Sequence, residues 1–304
     1  MRIGVDLGGT KIEAIALDEM GAEVMRMRVA TPRNDYEATV KTITSLVATL
    51  ETRTHTSGKN TVGIGIPGTP SPRTGLIKNA NSTWLIGQPL QSDIEEILER
   101  PVRIANDADC FAMSEAVDGA GMGATSVFGV ILGTGVGGGF VFNGQLISGP
   151  NAIAGEWGHN PLPWPESSET PGPLCYCGLS GCIETFLSGS GLSQDFNRVT
   201  GLDAKPKEIT EMAQRGDGGA LGCLVRYHKR LARALSSVIN ILDPEVIVLG
   251  GGLSNMTSLY DSVPAFWKAW VFSDEVVTKL VKNKHGDSSG VRGAAWLWND
   301  EPSD

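Results

Sequence analysis

Three cysteines and one histidine have the spacing in this sequence that most clearly predicts chemistry. Cys175, Cys177 and Cys182 follow His159 across a proline-rich loop. Three thiolates and one imidazole make a closed tetrahedral zinc site, which is structural because no coordination position stays open for a substrate. A disulfide is the alternative, but the single residue between Cys175 and Cys177 fits it poorly. We predict that Zn²⁺ pins the loop of residues 156–184.

A carboxylate stands at the end of one predicted strand. The apolar segment 102–104 leads into Asn106-Asp107-Ala108-Asp109, where a helix is predicted to begin. In open α/β sheets, ligands bind outside the carboxyl ends of the strands. Asp109 can be explained as a cap of that helix. Asp107 is therefore the better candidate for a catalytic group.

Glycine accounts for 39 of the 304 residues, in clusters at the ends of apolar segments. The clusters at 8–9, 133–139 and 250–252 each follow a predicted strand, where the N–H groups of a turn can bind phosphate. Residues 133–138 also match the GxGxxG pattern of dinucleotide-binding proteins. That pattern must open a helix, whereas the hairpin signal Asn143-Gly144 follows here, so we reject NAD binding.

Charge and hydropathy exclude two classes of partner. The formal net charge is −9 and the sequence shows no basic patch, so we expect no nucleic acid to bind. Residues 119–155 carry no charge, but glycines, Asn143-Gly144 and Pro150 interrupt them. They therefore predict buried strands joined by turns and not a membrane span. Without an apolar signal core at the start, we expect a cytoplasmic protein in a reducing compartment.

The elements around these residues alternate between strands and helices, which predicts an α/β fold of two similar halves facing each other across a cleft. The first domain is expected at 1–117, joined by a closing helix at about 290–304, and the second at 118–289. Helix faces are predicted at Val40, Ile43, Val47 and Leu50, at Ile94, Ile97 and Leu98, and at Leu224, Leu231, Leu235, Val238 and Leu242.

Motifs along nearly the whole chain, in order as well as in type, resemble those of the ROK family (repressors, open reading frames and kinases). They are Asp6-Leu-Gly-Gly-Thr-Lys11, Glu156-x-Gly-His159, the Cys-x-Cys-Gly-x-x-Gly-Cys-x-Glu run ending at Glu184, and the turn at 248–252. The resemblance implies two actin-like, ribonuclease H-like domains with a cleft between them. It also implies transfer of the ATP γ-phosphate to the 6-hydroxyl of a hexose.

The resemblance assigns roles to single residues. Asp107 accepts the proton of the attacking sugar hydroxyl, and Asp6 holds Mg²⁺, in part through water. Lys11 either adds positive charge near the phosphates or is a surface lysine. The residues expected to bind ATP are Gly8, Gly9, Thr10, Gly133, Thr134, Gly135, Gly251 and Gly252. The residues expected to bind sugar hydroxyls are Asn79, Asn106, Asp107, Glu156, His159 and Glu184.

The substrate and the class of protein leave alternatives. Segments Lys78–Trp84 and His159–Trp164 are most similar to bacterial fructokinases with some mannokinase activity, so D-fructose is the expected hexose. Glucokinase, N-acetylglucosamine kinase and N-acetylmannosamine kinase share the same catalytic elements. A sugar-responsive regulator of the family would need a DNA-binding helix-turn-helix before the first strand, which is expected here at Arg2. A sugar sensor without turnover would be expected to lack Asp6 or Asp107. The resemblance further implies a homodimer.

Overall fold

The computed structural model of the chain describes residues 1–56, 58 and 60–299. The chain forms two compact units. Of these described residues, unit 1 contains those in the ranges 1–126, 139–155 and 284–299, and unit 2 contains 127–138 and 156–283. Among the described residues, no helix combines the length and the apolar character that a bilayer crossing requires.

The strands of the described residues are β1 (Arg2–Leu7), β2 (Lys11–Leu17), β3 (Glu23–Ala30), β4 (Thr61–Ile66), β5 (Thr69–Pro70), β6 (Ile77–Lys78), β7 (Arg103–Asn106), β8 (Ser126–Leu132), β9 (Val136–Phe142), β10 (Gln145–Leu146), β11 (Val246–Gly250) and β12 (Lys279–Lys282).

The α-helices of the described residues are α1 (Tyr36–Thr54), α2 (Leu90–Leu98), α3 (Asp107–Val117), α4 (Ile183–Leu187), α5 (Gly189–Thr200), α6 (Pro206–Gln214), α7 (Gly218–Leu242), α8 (Leu259–Trp267) and α9 (Ser289–Ala295). Short 3-10 turns lie at Thr83–Leu85, Trp157–His159, Ser167–Glu169, Gly252–Asn255, Gly286–Ser288 and Trp296–Trp298.

The sheet of unit 1 has the strand order β3-β2-β1-β4-β7. Its first three strands are antiparallel, and β1, β4 and β7 run parallel. The carboxyl ends of the parallel strands therefore meet at one edge, where ligands bind in open α/β sheets. Asp6 on β1 is paired with Gly65 on β4, and Ile66 on β4 is paired with Asn106 on β7.

Helices cover both faces of this sheet. The predicted face of α1, Val40, Ile43, Val47 and Leu50, is buried in one core, as expected from its helical spacing. The closing helix α9 packs so tightly on the other face that a Cβ at Gly63 would lie 1.9 Å from the carbonyl oxygen of Ala294. The strand therefore needs glycine at this contact.

The second five-stranded sheet among the described residues repeats the pattern of the first, with the order β10-β9-β8-β11-β12. Here β8, β11 and β12 are parallel, while β9 and β10 form an antiparallel hairpin. The repeat of antiparallel and parallel strands agrees with the two similar halves predicted from the sequence.

Some boundaries and faces differ from the predictions. The glycines at 133–139 predict a turn over their whole length, but β9 begins at Val136, so the second glycine turn is shorter than its glycines suggest. Ile97 is 57% exposed, because Leu90, Ile94 and Leu98 are spaced by four and form the inner face of α2 without it. Leu242 is 38% exposed at the end of α7, where the chain turns left-handed at Asp243.

Candidate functional site

Unit 1 places Asp6 at the carboxyl end of β1. Burial raises the pKa of its carboxyl to about 7, with further contributions from the negative charges of Asp107 and Glu13 and an opposing one from Lys11. A Cβ on Gly290 would lie 3.5 Å from one carboxylate oxygen, and one on Gly65 would lie 3.8 Å from the other. Two glycines therefore pack beside this carboxylate, and its oxygens in a negative environment are the kind of ligand that Mg²⁺ takes.

Asp107 begins α3 at the end of β7. The cap of this helix is Asn106, whose Oδ1 accepts a hydrogen bond from the N–H of Ala108 at 2.9 Å. The interpretation of Asp109 as the cap is therefore wrong. The amide of Asn106 also donates to the carbonyl of Gly68 at 3.4 Å. The oxygen and the nitrogen of the Asn106 amide are thus both hydrogen bonded within unit 1. Its role as a sugar ligand stays a prediction.

The first glycine turn lies between β1 and β2, as predicted, and is fixed by side chains from beyond β3. The N–H of Gly8 donates to the carbonyl of Lys11 at 3.0 Å. Thr31 donates through its hydroxyl to the carbonyl of Gly8 at 2.7 Å, and Arg33 donates to that of Gly9 at 2.8 Å. These contacts fix the carbonyls of the turn, and Gly9 and Thr10 remain exposed and accessible to a ligand.

Lys11 is engaged within the protein. Its ammonium lies 3.6 Å from Glu13, whose buried carboxylate also binds Arg26 and Arg28. This pairing holds the lysine on the sheet. Asn79 lies exposed in unit 1 in a left-handed conformation with φ of 56°, one residue after Lys78, whose ammonium donates to the carbonyl of Asn151 at 2.8 Å.

Unit 2 brings the second and third glycine turns together. The N–H of Gly133 donates to the carbonyl of Gly135 at 3.0 Å, and the N–H of Gly189, at the start of α5, donates to the carbonyl of Gly133 at 2.8 Å. Gly251 has φ of 78°, and a Cβ there would lie 2.5 Å from the carbonyl oxygen of Leu132. Only glycine fits between the ends of β8 and β11.

A cavity of about 790 Å³ opens between these turns. Such a volume lies within the range of sites for drug-sized ligands and cofactors. Its predicted lining residues are Gly133, Thr134 and Gly252. Its other walls were missed by the sequence analysis and come from α5, α6 and the turn after β11, namely Gly189, Ser190, Pro206, Lys207, Thr210, Glu211, Gln214, Leu253, Asn255 and Met256.

The cluster of His159, Cys175, Cys177 and Cys182 forms as predicted, with all four ligand atoms within 4.8 Å of one another. Cys175 Sγ lies 3.6 Å from His159 Nδ1, and the Sγ atoms of Cys177 and Cys182 are also 3.6 Å apart. Zinc with bonds of about 2.3 Å in a tetrahedron separates sulfur ligands by roughly 3.8 Å. The donor set and its dimensions therefore fit Zn²⁺.

The thiols of this cluster differ in acidity. The backbone N–H of Leu179 contributes most to lowering the pKa of Cys177, which falls to about 7. Burial raises the pKa of Cys182 to about 12. A zinc ion would bind both as thiolates and so favour the deprotonated form of each.

The chain around the cluster pairs with itself. The N–H of Cys175 donates to the carbonyl of Leu179 at 2.8 Å, which closes a tight knuckle. Isolated bridges join Pro161 to Cys182 and Leu174 to Ser180. His159, at the start of the loop, thus meets the knuckle at its end because the two arms are hydrogen bonded to each other.

His159 has a second partner that the sequence did not predict. Its Nε2 lies 3.0 Å from the hydroxyl of Tyr176, and the two rings meet edge to face with centroids 5.1 Å apart. Partial burial, followed by the negative charges of Glu184 and Glu156, raises the pKa of Tyr176 to about 12. Two predicted sugar ligands, one exposed and one half-buried, therefore lie near this phenol.

The predicted site residues divide between the units. Unit 1 brings together Asp6, Asn106 and Asp107, and also holds Asn79 and the turn at 8–10. Unit 2 holds Gly133, Thr134, Gly135, Gly251, Gly252, Glu156, His159, Glu184, Cys175, Cys177 and Cys182.

The chain is similar to sugar kinases in both sequence and structure. The ROK family model matches residues 2–301. The chain is 43% identical over 301 residues, 98% of its length, to the N-acetyl-D-glucosamine kinase of Photobacterium profundum, 99% of which is covered. The ROK hexokinase of Thermus thermophilus superposes with a TM-score of 0.86 at 29% identity, with 97% of each chain covered. A ROK family glucokinase from Streptomyces griseus, solved with glucose and AMPPNP, gives 0.74 at 30% identity over 97% of this chain and 98% of that one.

Proposed function

This chain belongs to the ROK family and is a sugar kinase, and from that premise we propose that it transfers the ATP γ-phosphate to the 6-hydroxyl of N-acetyl-D-glucosamine. The actin-like, two-domain α/β fold expected from the motifs is confirmed by the structural matches. The observation that supports this substrate is the 43% identity to an N-acetyl-D-glucosamine kinase along 99% of that protein.

D-Fructose is the second candidate. It was the main prediction from the segments Lys78–Trp84 and His159–Trp164, whose residue types resemble bacterial fructokinases. The relatives favour N-acetyl-D-glucosamine over fructose, because full-length similarity covers the whole pocket and not two segments alone.

Asp107 is the proposed proton acceptor. Asp107 lies in the first turn of α3, and an ordinary aspartate is ionised at neutral pH. In phosphoryl transfer through a loose transition state, the proton leaves the attacking hydroxyl late, so the position of Asp107 matters more than its basicity. The sugar hydroxyl attacks the γ-phosphorus, its proton passes to Asp107, and ADP leaves.

The nucleotide is proposed to occupy the cavity of unit 2. The apolar wall of Leu253 and Met256 suits a base, and the N–H groups of the turn at 133–135 suit phosphates. Asp6 would hold Mg²⁺, which neutralises charge on the phosphates when it is bound. Glu156, His159 and Glu184 are the proposed sugar ligands of unit 2. Zn²⁺ at the cysteine cluster would fix them in place, and a homodimer stays the predicted assembly.

A coupled ADP-release assay tests the proposal. N-Acetyl-D-glucosamine, fructose, mannose, glucose and N-acetylmannosamine are compared at equal ATP, with kcat/KM as the readout. The highest kcat/KM is expected with N-acetyl-D-glucosamine. A higher value with fructose would establish the second candidate, and no turnover with any hexose would refute the proposed function.

A further inference from the structure

Tyr176 is an exposed tyrosine that nevertheless has one fixed partner. Its side chain is 78% exposed, as expected at the tip of a knuckle, and its hydroxyl is 3.0 Å from Nε2 of His159. The edge-to-face ring contact orients the phenol further. A side chain held in this way at the surface is arranged for a ligand and contributes little to a core.

The hydrogen-bond donors and acceptors around Tyr176 indicate what kind of ligand atom it can bind. His159 presents Nδ1 to Cys175 in the metal cluster, so its proton resides on Nε2 when Nδ1 is a ligand. That N–H then donates to the oxygen of Tyr176. The phenol oxygen accepts that hydrogen bond, so its own O–H stays available to donate.

The neighbouring carboxylates cannot replace this donor. Ionised Glu156 and Glu184 only accept hydrogen bonds, and so they suit the O–H groups of a sugar. Among these two carboxylates, His159 and Tyr176, the phenol is the side chain with a hydrogen left to give. A sugar oxygen without a hydrogen, such as an acetamide carbonyl or a ring oxygen, needs such a donor.

We propose that Tyr176 is a specificity-determining residue that contacts the sugar, donating its hydroxyl hydrogen to an acceptor oxygen of the hexose. The inference rests on the proposed function, because it takes Glu156 and Glu184 as sugar ligands. It changes the role of His159, whose two ring nitrogens are both engaged, from a sugar ligand to the group that positions Tyr176. It adds Tyr176, which lies between Cys175 and Cys177, to the sugar site.

The test compares Tyr176→Phe with wild type by calorimetric titration of sugar in the absence of ATP, and by steady-state kinetics. Loss of one hydrogen bond is expected to raise both Kd and KM for the sugar by about tenfold. KM for ATP and the zinc content should not change. Leu174→Ala is the matched control, since Leu174 is 76% exposed on the same knuckle and should leave the sugar Kd unchanged.

The outcomes distinguish direct contact of Tyr176 with the sugar from an indirect role through the metal cluster. A sugar Kd within twofold of wild type in Tyr176→Phe would overturn the proposal. So would a raised Kd accompanied by loss of zinc, because the phenol would then act through the metal cluster. Binding is measured with the sugar that wild type binds most tightly, so a wrong substrate assignment appears in the assay of wild type and not in this comparison.

Discussion

The Oε2 atom of Glu184 accepts a hydrogen bond from the backbone N–H of Val136 at 2.9 Å. Glu184 is in the first turn of α4, two residues after Cys182, and Val136 begins β9 directly after the second glycine turn. One carboxylate oxygen thus connects the proposed phosphate-binding turn to the cysteine cluster, while Oε1 lies 4.0 Å from Cys175 Sγ. A substitution in the glycine turn should therefore affect the cysteine cluster, and a substitution in the cluster should affect the turn.

Gly135→Ala tests this connection from the side of the turn. A Cβ at Gly135 would lie 2.6 Å from Glu184 Oε2, and that oxygen can move only by losing its bond to Val136. We expect KM for ATP to rise by about tenfold, since phosphate positioning depends on this backbone, and KM for the sugar to rise with it. Gly218→Ala is the control, since a Cβ there meets nothing within 4 Å. Unchanged KM values for ATP and sugar in Gly135→Ala would show that Glu184 does not couple the glycine turn to the sugar site.

Asp107→Asn tests the proton acceptor. The amide has nearly the same shape but cannot take the proton, so kcat is expected to fall by about 10²- to 10⁴-fold. The sugar Kd should change by less than threefold in calorimetric titration. A near-normal kcat would show that Asp107 is not the proton acceptor. Loss of sugar binding would show that Asp107 acts by binding the sugar.

The parts of the site with a local chemical pattern were predictable from the sequence. Cys175, Cys177 and Cys182 could be assigned because few structures other than a metal site explain thiols so close together. Glycine turns at strand ends were found for a similar reason. The wall formed by α6 was not found, because Lys207 and Gln214 are ordinary residues of a helix surface and no spacing marks them as ligand contacts.

Contacts between distant segments could not be predicted. The bond between Tyr176 and His159 depends on how the knuckle folds back on the start of the loop. Glu169 meets Arg230 across 61 positions of the chain, and neither residue type nor spacing indicates the partner. Strand β3, in contrast, could have been found from the sequence, because Met25, Met27 and Val29 alternate with Arg26 and Arg28.

Glu169 is expected to hold the loop between His159 and Cys175 on α7. Its carboxylate, 5% exposed, accepts hydrogen bonds from Arg230 at 2.7 Å and from Arg233 at 2.7 Å. Glu169→Ala leaves both guanidinium groups buried without this partner and should lower the free energy of unfolding by about 3–5 kcal/mol. Glu211→Ala, which removes a surface pair on α6, should cost about 0–1 kcal/mol in the same urea titration. Equal losses would contradict the prediction.

Asp118 should make stability depend on pH in the acid range. Burial opposes ionisation, but hydrogen bonds from His285, Arg292 and Trp296 outweigh it and lower the pKa of Asp118 from 3.8 to about 2. The stabilisation is therefore fully present above about pH 4 and is lost as the pH falls through 2; it is on the order of 2 kcal/mol. The difference in free energy of unfolding between wild type and Asp118→Asn should shrink over this interval in urea titrations. A constant difference would show that ionisation of Asp118 does not stabilise the fold.

Cys177→Ala tests whether the metal cluster supports the sugar site. The exposed Cys177 contributes one of four ligand atoms, and three remaining ligands bind Zn²⁺ more weakly, so zinc content should fall well below one ion per chain. Without the ion, His159 is no longer fixed against Cys175, and we expect the sugar Kd to rise by more than tenfold. The buried Cys223→Ala is the control for loss of a thiol outside the cluster, and it should retain zinc and sugar binding. A zinc-free Cys177→Ala protein with the wild-type sugar Kd would show that the ion only stabilises the loop. Because α7 holds that loop through Glu169, circular dichroism should still show the wild-type helix content in Cys177→Ala.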